Sequence, residues 1–114
     1  MLNTSVMRLS GRTYRLDLTT SASTTLLIEE SGTNDQTNLV SLLNTGTGVA
    51  SVEIANASAS VLTPTIATTG NAGSYVLPAA MQNPIIIAAP PAPFYIKGIS
   101  SGTNSLFITP VEVG

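Results

Sequence analysis

Residues 93–113 decide the fold. They read Pro93-Phe94-Tyr95-Ile96-Lys97-Gly98-Ile99, then Ser100-Ser101-Gly102-Thr103-Asn104-Ser105, then Leu106-Phe107-Ile108-Thr109-Pro110-Val111-Glu112-Val113. Two runs of β-branched and aromatic residues flank a short polar stretch containing Gly and Asn. Such side chains pack well on a pleated surface, and Gly and Asn tolerate the backbone of a tight return. The pattern predicts a closing β-hairpin, with Pro110 putting its last strand at a sheet edge or end because proline brings no N–H to a ladder.

The same logic extends upstream. Tyr14, Leu16 and Leu18 alternate with Thr13, Arg15 and Asp17, the period of two of a half-buried strand. Residues 24–29 form another candidate strand. Residues 38–44 are more evenly apolar and are expected to be central. Residues 49–55 return after Thr45-Gly46-Thr47-Gly48, which predicts a second hairpin. Residues 61–63, cut by Pro64, residues 75–78 and the apolar run 85–89 complete the set, and residues 79–83 suit a single helical turn. About eight short strands with regularly spaced turns predict an all-β fold, a small β-sandwich or jelly roll of antiparallel strands. Residues 1–11 read as an N-terminal arm or edge strand and residues 12–114 as the sandwich domain.

The 114 residues make one domain, enough to bury roughly two-thirds of the unfolded surface. Charged residues are only 9% and hydrophobic ones 43%. Much of the rest is Ser, Thr, Asn and Gly. A surface of hydroxyls and amides repels neighbours weakly, and few Lys or Glu guard the strand edges, so lasting contact with other protein is expected. The net charge of −2 gives no electrostatic reason for nucleic-acid binding. Met1 to Ser10 has no apolar signal-peptide core, and residues 84–91 are too short to span a bilayer, so no membrane role is expected.

Catalytic chemistry has few materials. The chain has no histidine and no cysteine, so imidazole- and thiolate-based catalysis and the usual zinc sites are not built here. The acids are Asp17, Glu29, Glu30, Asp35, Glu53 and Glu112. The loop near Glu29, Glu30 and Asp35 lacks the alternating acids of a calcium loop. No spacing suggests a two-carboxylate glycosidase. Gly46-Thr47-Gly48 lacks the third glycine and the following helix of a dinucleotide fingerprint. No enzyme activity, catalytic residue, cofactor or metal is expected.

The cations are uneven. Arg8, Arg12 and Arg15 fall within the first fifteen residues and Lys97 stands alone later. The arginines read either as solvated side chains of a sheet edge or as a docking strip for an acidic partner. Tyr95, Lys97 and the Arg15 strand read either as an aromatic–cation patch or as core-edge residues. The apolar side chains Val6, Met7 and Leu9 could add a strand to a neighbour's edge. The candidate partner-contact residues are therefore Val6, Met7, Arg8, Leu9, Arg12, Arg15 and Lys97.

Across residues 39–113 the chain resembles the jelly-roll-like capsid decoration, or cement, proteins of tailed bacteriophages. The carriers are Leu77-Pro78, the stretch Tyr95-Ile96-Lys97-Gly98-Ile99-Ser100-Ser101-Gly102-Thr103, and Leu106-Phe107-Ile108-Thr109-Pro110. The resemblance implies a structural virion protein, made in the host cytoplasm and located on the capsid surface. It would bind the outer surface of the capsid and stabilise it by bridging major capsid protein subunits. It also implies a homo-oligomer, three chains being the expected number and two the next. A receptor- or glycan-binding module of a phage fibre or spike is the alternative.

Overall fold

The computed structural model describes residues 7–9, 12–29, 38–56, 62–90 and 93–113. Nine strands are formed among them: β1 (Met7–Leu9), β2 (Tyr14–Leu18), β3 (Leu26–Ile28), β4 (Asn38–Gly46), β5 (Ala50–Ala55), β6 (Tyr75–Leu77), β7 (Ile85–Ala88), β8 (Phe94–Ser100) and β9 (Asn104–Val113). No helix occurs among the described residues. The turn expected at 79–83 is non-helical, and Ala80 has a positive φ of 50°. Residues 62 and 63, expected in a short strand, lie in a connection instead, and residue 61 lies outside the described residues.

Every pairing is antiparallel. The first sheet runs β1–β9–β4–β7, with β2 also on β9; the second runs β3–β8–β5–β6. β1 and β2 lie end to end on one side of β9, Leu9 opposite Val111 and Tyr14 opposite Ile108. They act as one interrupted edge strand, so each sheet is four strands wide. The chain changes sheet at every connection after β2 except β5–β6. That order is the eight-stranded jelly roll.

Both expected hairpins are corrected by this topology. β8 does not pair with β9, nor β4 with β5. Residues 101–103 and 47–49 are arches that carry the chain from one sheet to the other, and the strands then pair arch against arch: β4 with β9, β5 with β8. The expectation for Pro110 is corrected as well. β9 is an inner strand between β4 and the β1/β2 edge. Thr109 and Pro110 fall between the last β2 partner, Ile108, and the first β1 partner, Val111. The missing N–H therefore coincides with the break in the edge strand. The central position expected for residues 38–44 holds, since β4 lies between β9 and β7.

The core follows from alternation. In β8, Phe94, Ile96, Gly98 and Ser100 are buried while Tyr95, Lys97 and Ile99 face outward, half-buried. Leu18, Ile28, Val40, Leu42, Leu77, Phe94, Ile96, Leu106 and Ile108 are essentially inaccessible and join one cluster between the sheets. Burying each such side chain contributes roughly 1.5–3 kcal/mol before entropy is counted.

At the arch end, polar side chains continue the inward rows. Asn44, Ser100 and Asn104 are buried. Asn104 Nδ2 donates to Asn44 Oδ1 at 2.9 Å and also to the carbonyl of Gly48. Asn44 Nδ2 donates to the same Gly48 carbonyl at 3.1 Å and to that of Pro78 at 2.9 Å. Ser100 Oγ donates to Asn104 Oδ1 at 2.9 Å and accepts from Gly102 N at 3.1 Å. The buried side chains of Asn44, Ser100 and Asn104 thus all find partners, the condition under which burial of polar groups is tolerated. Backbone bonds extend the junction. Ser101 N donates to Val49 O, Ala80 N to Gly46 O and Met81 N to Asn44 O. The β2–β3 connection joins too, with Ser100 N donating to Thr19 O and Ser23 N to Gly98 O, both at 2.8 Å. All four connections at this end are fastened together.

Gly48 is required by that crowding. A Cβ there would sit 2.6 Å from Asn104 Oδ1 and 2.8 Å from both Gly102 N and Ser100 Oγ. At Gly102, in the facing arch, a Cβ would meet only the Gly48 Cα, at an ordinary 3.8 Å. Gly48→Ala is expected to cost about 2–3 kcal/mol through overpacking and disturbance of the amide network. Gly102→Ala should stay within about 0.5 kcal/mol of the parent chain. Denaturant unfolding measures both, and equal costs would contradict this reading of the junction.

Candidate interaction surface

The candidate contact residues do not form one site. Met7 and Arg8 lie in β1, opposite Val113 and Glu112 in the ladder. Val6 lies outside the described residues. Leu9 is 72% exposed and is paired with Val111 on the outward side of the first sheet. Arg12 is exposed just before β2. Arg15 is exposed on the outward side of β2. Lys97 belongs to the other sheet, on the outward side of β8, directly across from Glu53. The aromatic–cation patch joining Tyr95, Lys97 and the Arg15 strand is therefore ruled out. Tyr95 and Lys97 face outward from the second sheet and Arg15 from the first.

The first sheet carries an apolar row on its outward side. Leu9 stands beside Val111, Val111 beside Leu39, and Leu39 beside Ala88; Leu9 and Ala88 are exposed, Leu39 is half-buried and Val111 is buried. The row runs from the β1 edge to the β7 edge. One register step away are Thr109, Ser41 and Ile86, and Thr13 Oγ1 and Thr109 Oγ1 share a hydrogen bond of 2.8 Å. Among the described residues, charge on this side lies at the β2 edge. There Arg15 Nε donates to Asp17 Oδ1 at 2.9 Å, and Ser105 Oγ donates to the same oxygen at 3.1 Å. The Arg15 bond and, after it, the Ser105 bond hold the Asp17 carboxyl below the ordinary value of 3.8. Arg15 is thus paired with Asp17 of its own strand, and both side chains stay well exposed.

The second sheet is partly covered on its outward side. Glu53 Oε1 accepts from Thr63 N at 3.1 Å, and Glu53 Oε2 accepts from Ser74 Oγ at 2.8 Å. The carboxylate pins both ends of the segment between them, and Leu62 and Pro64 are buried beside it. Ser51, on the same outward side, is buried with no partner for its Oγ among the described residues.

Between those pinned ends the chain forms a narrow finger. Ser74 N donates to Thr65 O at 2.8 Å, and Thr68 and Asn71 exchange backbone bonds across a turn at Gly70, whose φ is 80°. Residues 65–73 are all exposed. This finger, and the edge formed by β6 and β7, were not among the sequence-derived candidates. The signal available was the absence of charged residues across 54–96.

Among the described residues no three acids come together in a metal-binding group, and no pocket is present. Compared with family models, with curated proteins and with solved structures, the chain matches none of them.

The Asp17 arrangement has a signed pH consequence. Its folded-state pKa is lowered, so its stabilising contribution is present above the unfolded value and is lost as pH falls through the folded one. Carboxyl NMR titration should give Asp17 a midpoint below 3.8. Arg15→Ala should raise it toward that value, and Ser105→Ala should raise it by less. A midpoint that ignores Arg15 would contradict the pairing.

Proposed function

We propose that the chain is a structural virion protein that binds the outer surface of a phage capsid and stabilises it by bridging major capsid subunits. The observation that carries this reading is a rigid, cross-fastened sandwich whose first sheet exposes Leu9 and Ala88 on its outward side, with half-buried Leu39 and buried Val111 between them. Exposed apolar side chains grouped on a sheet face favour contact with another protein surface over contact with water. A sandwich whose arches are tied together transmits load between whatever it touches, because close-packed interiors deform little. The resemblance across residues 39–113 supplies the identity of the partner. Many weak contacts repeated over a symmetric shell would add to high avidity.

The alternative, a receptor- or glycan-binding module of a fibre or spike, is favoured by one feature. The finger at 65–73 exposes Thr65, Thr68, Thr69 and Asn71, hydroxyls and an amide suited to hydrogen bonding with sugars.

Co-sedimentation with undecorated capsids separates the two. Decoration predicts saturable, stoichiometric binding that raises the temperature of capsid disruption, and Leu9→Asp should weaken it at least tenfold while leaving the melting curve of the free protein in place. Binding to host cells or glycans, with none to capsids, would support the fibre module and overturn decoration.

A further inference from the structure

We infer that the side of the sandwich formed by β6 and β7 is a self-association surface, on which a second copy of this chain docks with β7 against β7 about a twofold axis. The inference goes beyond capsid binding and does not depend on it.

Charge is segregated in this molecule. Residues 54–96, which include β6, β7 and the finger, contain no Asp, Glu, Lys or Arg. The described charged side chains lie elsewhere: Arg12, Arg15 and Asp17 at the β2 edge, Glu29 after β3, and Glu53 and Lys97 on inner strands of the second sheet. The short arches place β4 over β5 and β8 over β9, so β7 lies over β6 and the β2 edge over β3. One side of the sandwich is therefore charged and the opposite side neutral.

The neutral side also holds most of the exposed apolar bulk. Among the described residues six large hydrophobic side chains are exposed, and four belong to it: Ile66 at 38%, Tyr75 at 47%, Val76 at 47% and Ile86 at 41%. Its edge is chemically open. Among the described residues β7 pairs only with β4, so alternate N–H and C=O groups of Ile85-Ile86-Ile87-Ala88 point away from the sheet. Edge strands are normally protected by charge, above all Lys, or by proline within the strand. Here Pro84 and Pro90 frame the strand without entering it.

These features select the occupant. A neutral, apolar edge is complementary to itself and mismatched to the charged edge of another copy, where Arg15 and Asp17 would lose water on contact. A surface that meets itself does so about a twofold axis. Two β7 strands related by that axis run antiparallel, which continues the pattern of the existing ladder and satisfies the open backbone groups. The outward-facing Ile86 side chains of the two copies then lie close to each other across the axis, and the finger beside β6 extends the contact. This geometry yields pairs of chains rather than closed rings of three.

Analytical ultracentrifugation of the full chain tests the inference. The parent protein should sediment as a dimer, with β7 amides whose hydrogen-exchange protection rises with protein concentration. Ile86→Lys brings like charges together at the axis and should weaken association at least tenfold without lowering the melting temperature of the diluted protein. Ala88→Lys, on the same outward side of β7, provides a second variant should the first fold poorly. Arg15→Glu, on the opposite side, should leave association unchanged. A parent chain that is monomeric at hundreds of micromolar, a trimer, or an association lost with Arg15→Glu and kept with Ile86→Lys would each overturn it.

Discussion

The bond from Asn104 to Asn44 fixes which strands belong to which sheet. It joins the end of β4 to the start of β9 inside the sandwich, and both amides share the Gly48 carbonyl of the arch between β4 and β5. A buried amide left without partners costs on the order of 1–3 kcal/mol. Any arrangement that turned β8 back onto β9 as a hairpin would strand Asn44, Asn104 and Ser100 together. The junction therefore opposes the simplest alternative pairing of the same strands. It also gathers the Pro78 carbonyl and the backbone of residues 80 and 81, so it places β7 as well, directly beside β4.

From that constraint the distribution of surfaces follows. With β4 and β5 stacked, and β8 and β9 stacked beside them, the outer strands fall into two stacked edge pairs. One pair carries the arginine-containing β2 segment, and the other carries no charge at all. The first sheet keeps its outward apolar row, while the second is partly roofed by the segment that Glu53 holds. The exposed apolar side chains and the uncharged edge are thus products of topology. Residues near one another in sequence, such as Tyr95 and Phe107 on either side of the 101–103 arch, face outward from opposite sheets. Leu9, Leu39 and Ala88, far apart in sequence, form one row.

Strand locations were legible from the residues because burial imposes a period of two, visible at Tyr14, Leu16 and Leu18 and again from Phe94 to Ser100. Partners were not. Small polar residues with Gly suit a hairpin and an arch equally, since both need a sharp return, and only tertiary burial chooses between them. One clue was present. Asn44 continues the inward row of Val40 and Leu42, Asn104 begins that of Leu106 and Ile108, and Ser100 ends that of Phe94 and Ile96. Polar residues on core-facing positions beside two separate turns indicate that the turns meet in the interior. Pro110 misled because the rule that bars proline from inner strands presumes continuous neighbours, and here the adjacent strand is broken between Leu9 and Tyr14. Individual contact residues were least legible. Arg15 and Lys97 share a charge sign but not a face.

Cross-strand NOEs in solution test the central claim, that both apparent hairpins are arches of a jelly roll, most directly. The jelly roll requires contacts linking β4 to β9 in the register Leu42–Ile108 and β5 to β8 in the register Val52–Gly98, with none between the bodies of β8 and β9. A ladder joining Ile99 to Ser105 and continuing outward along β8 and β9 would contradict it.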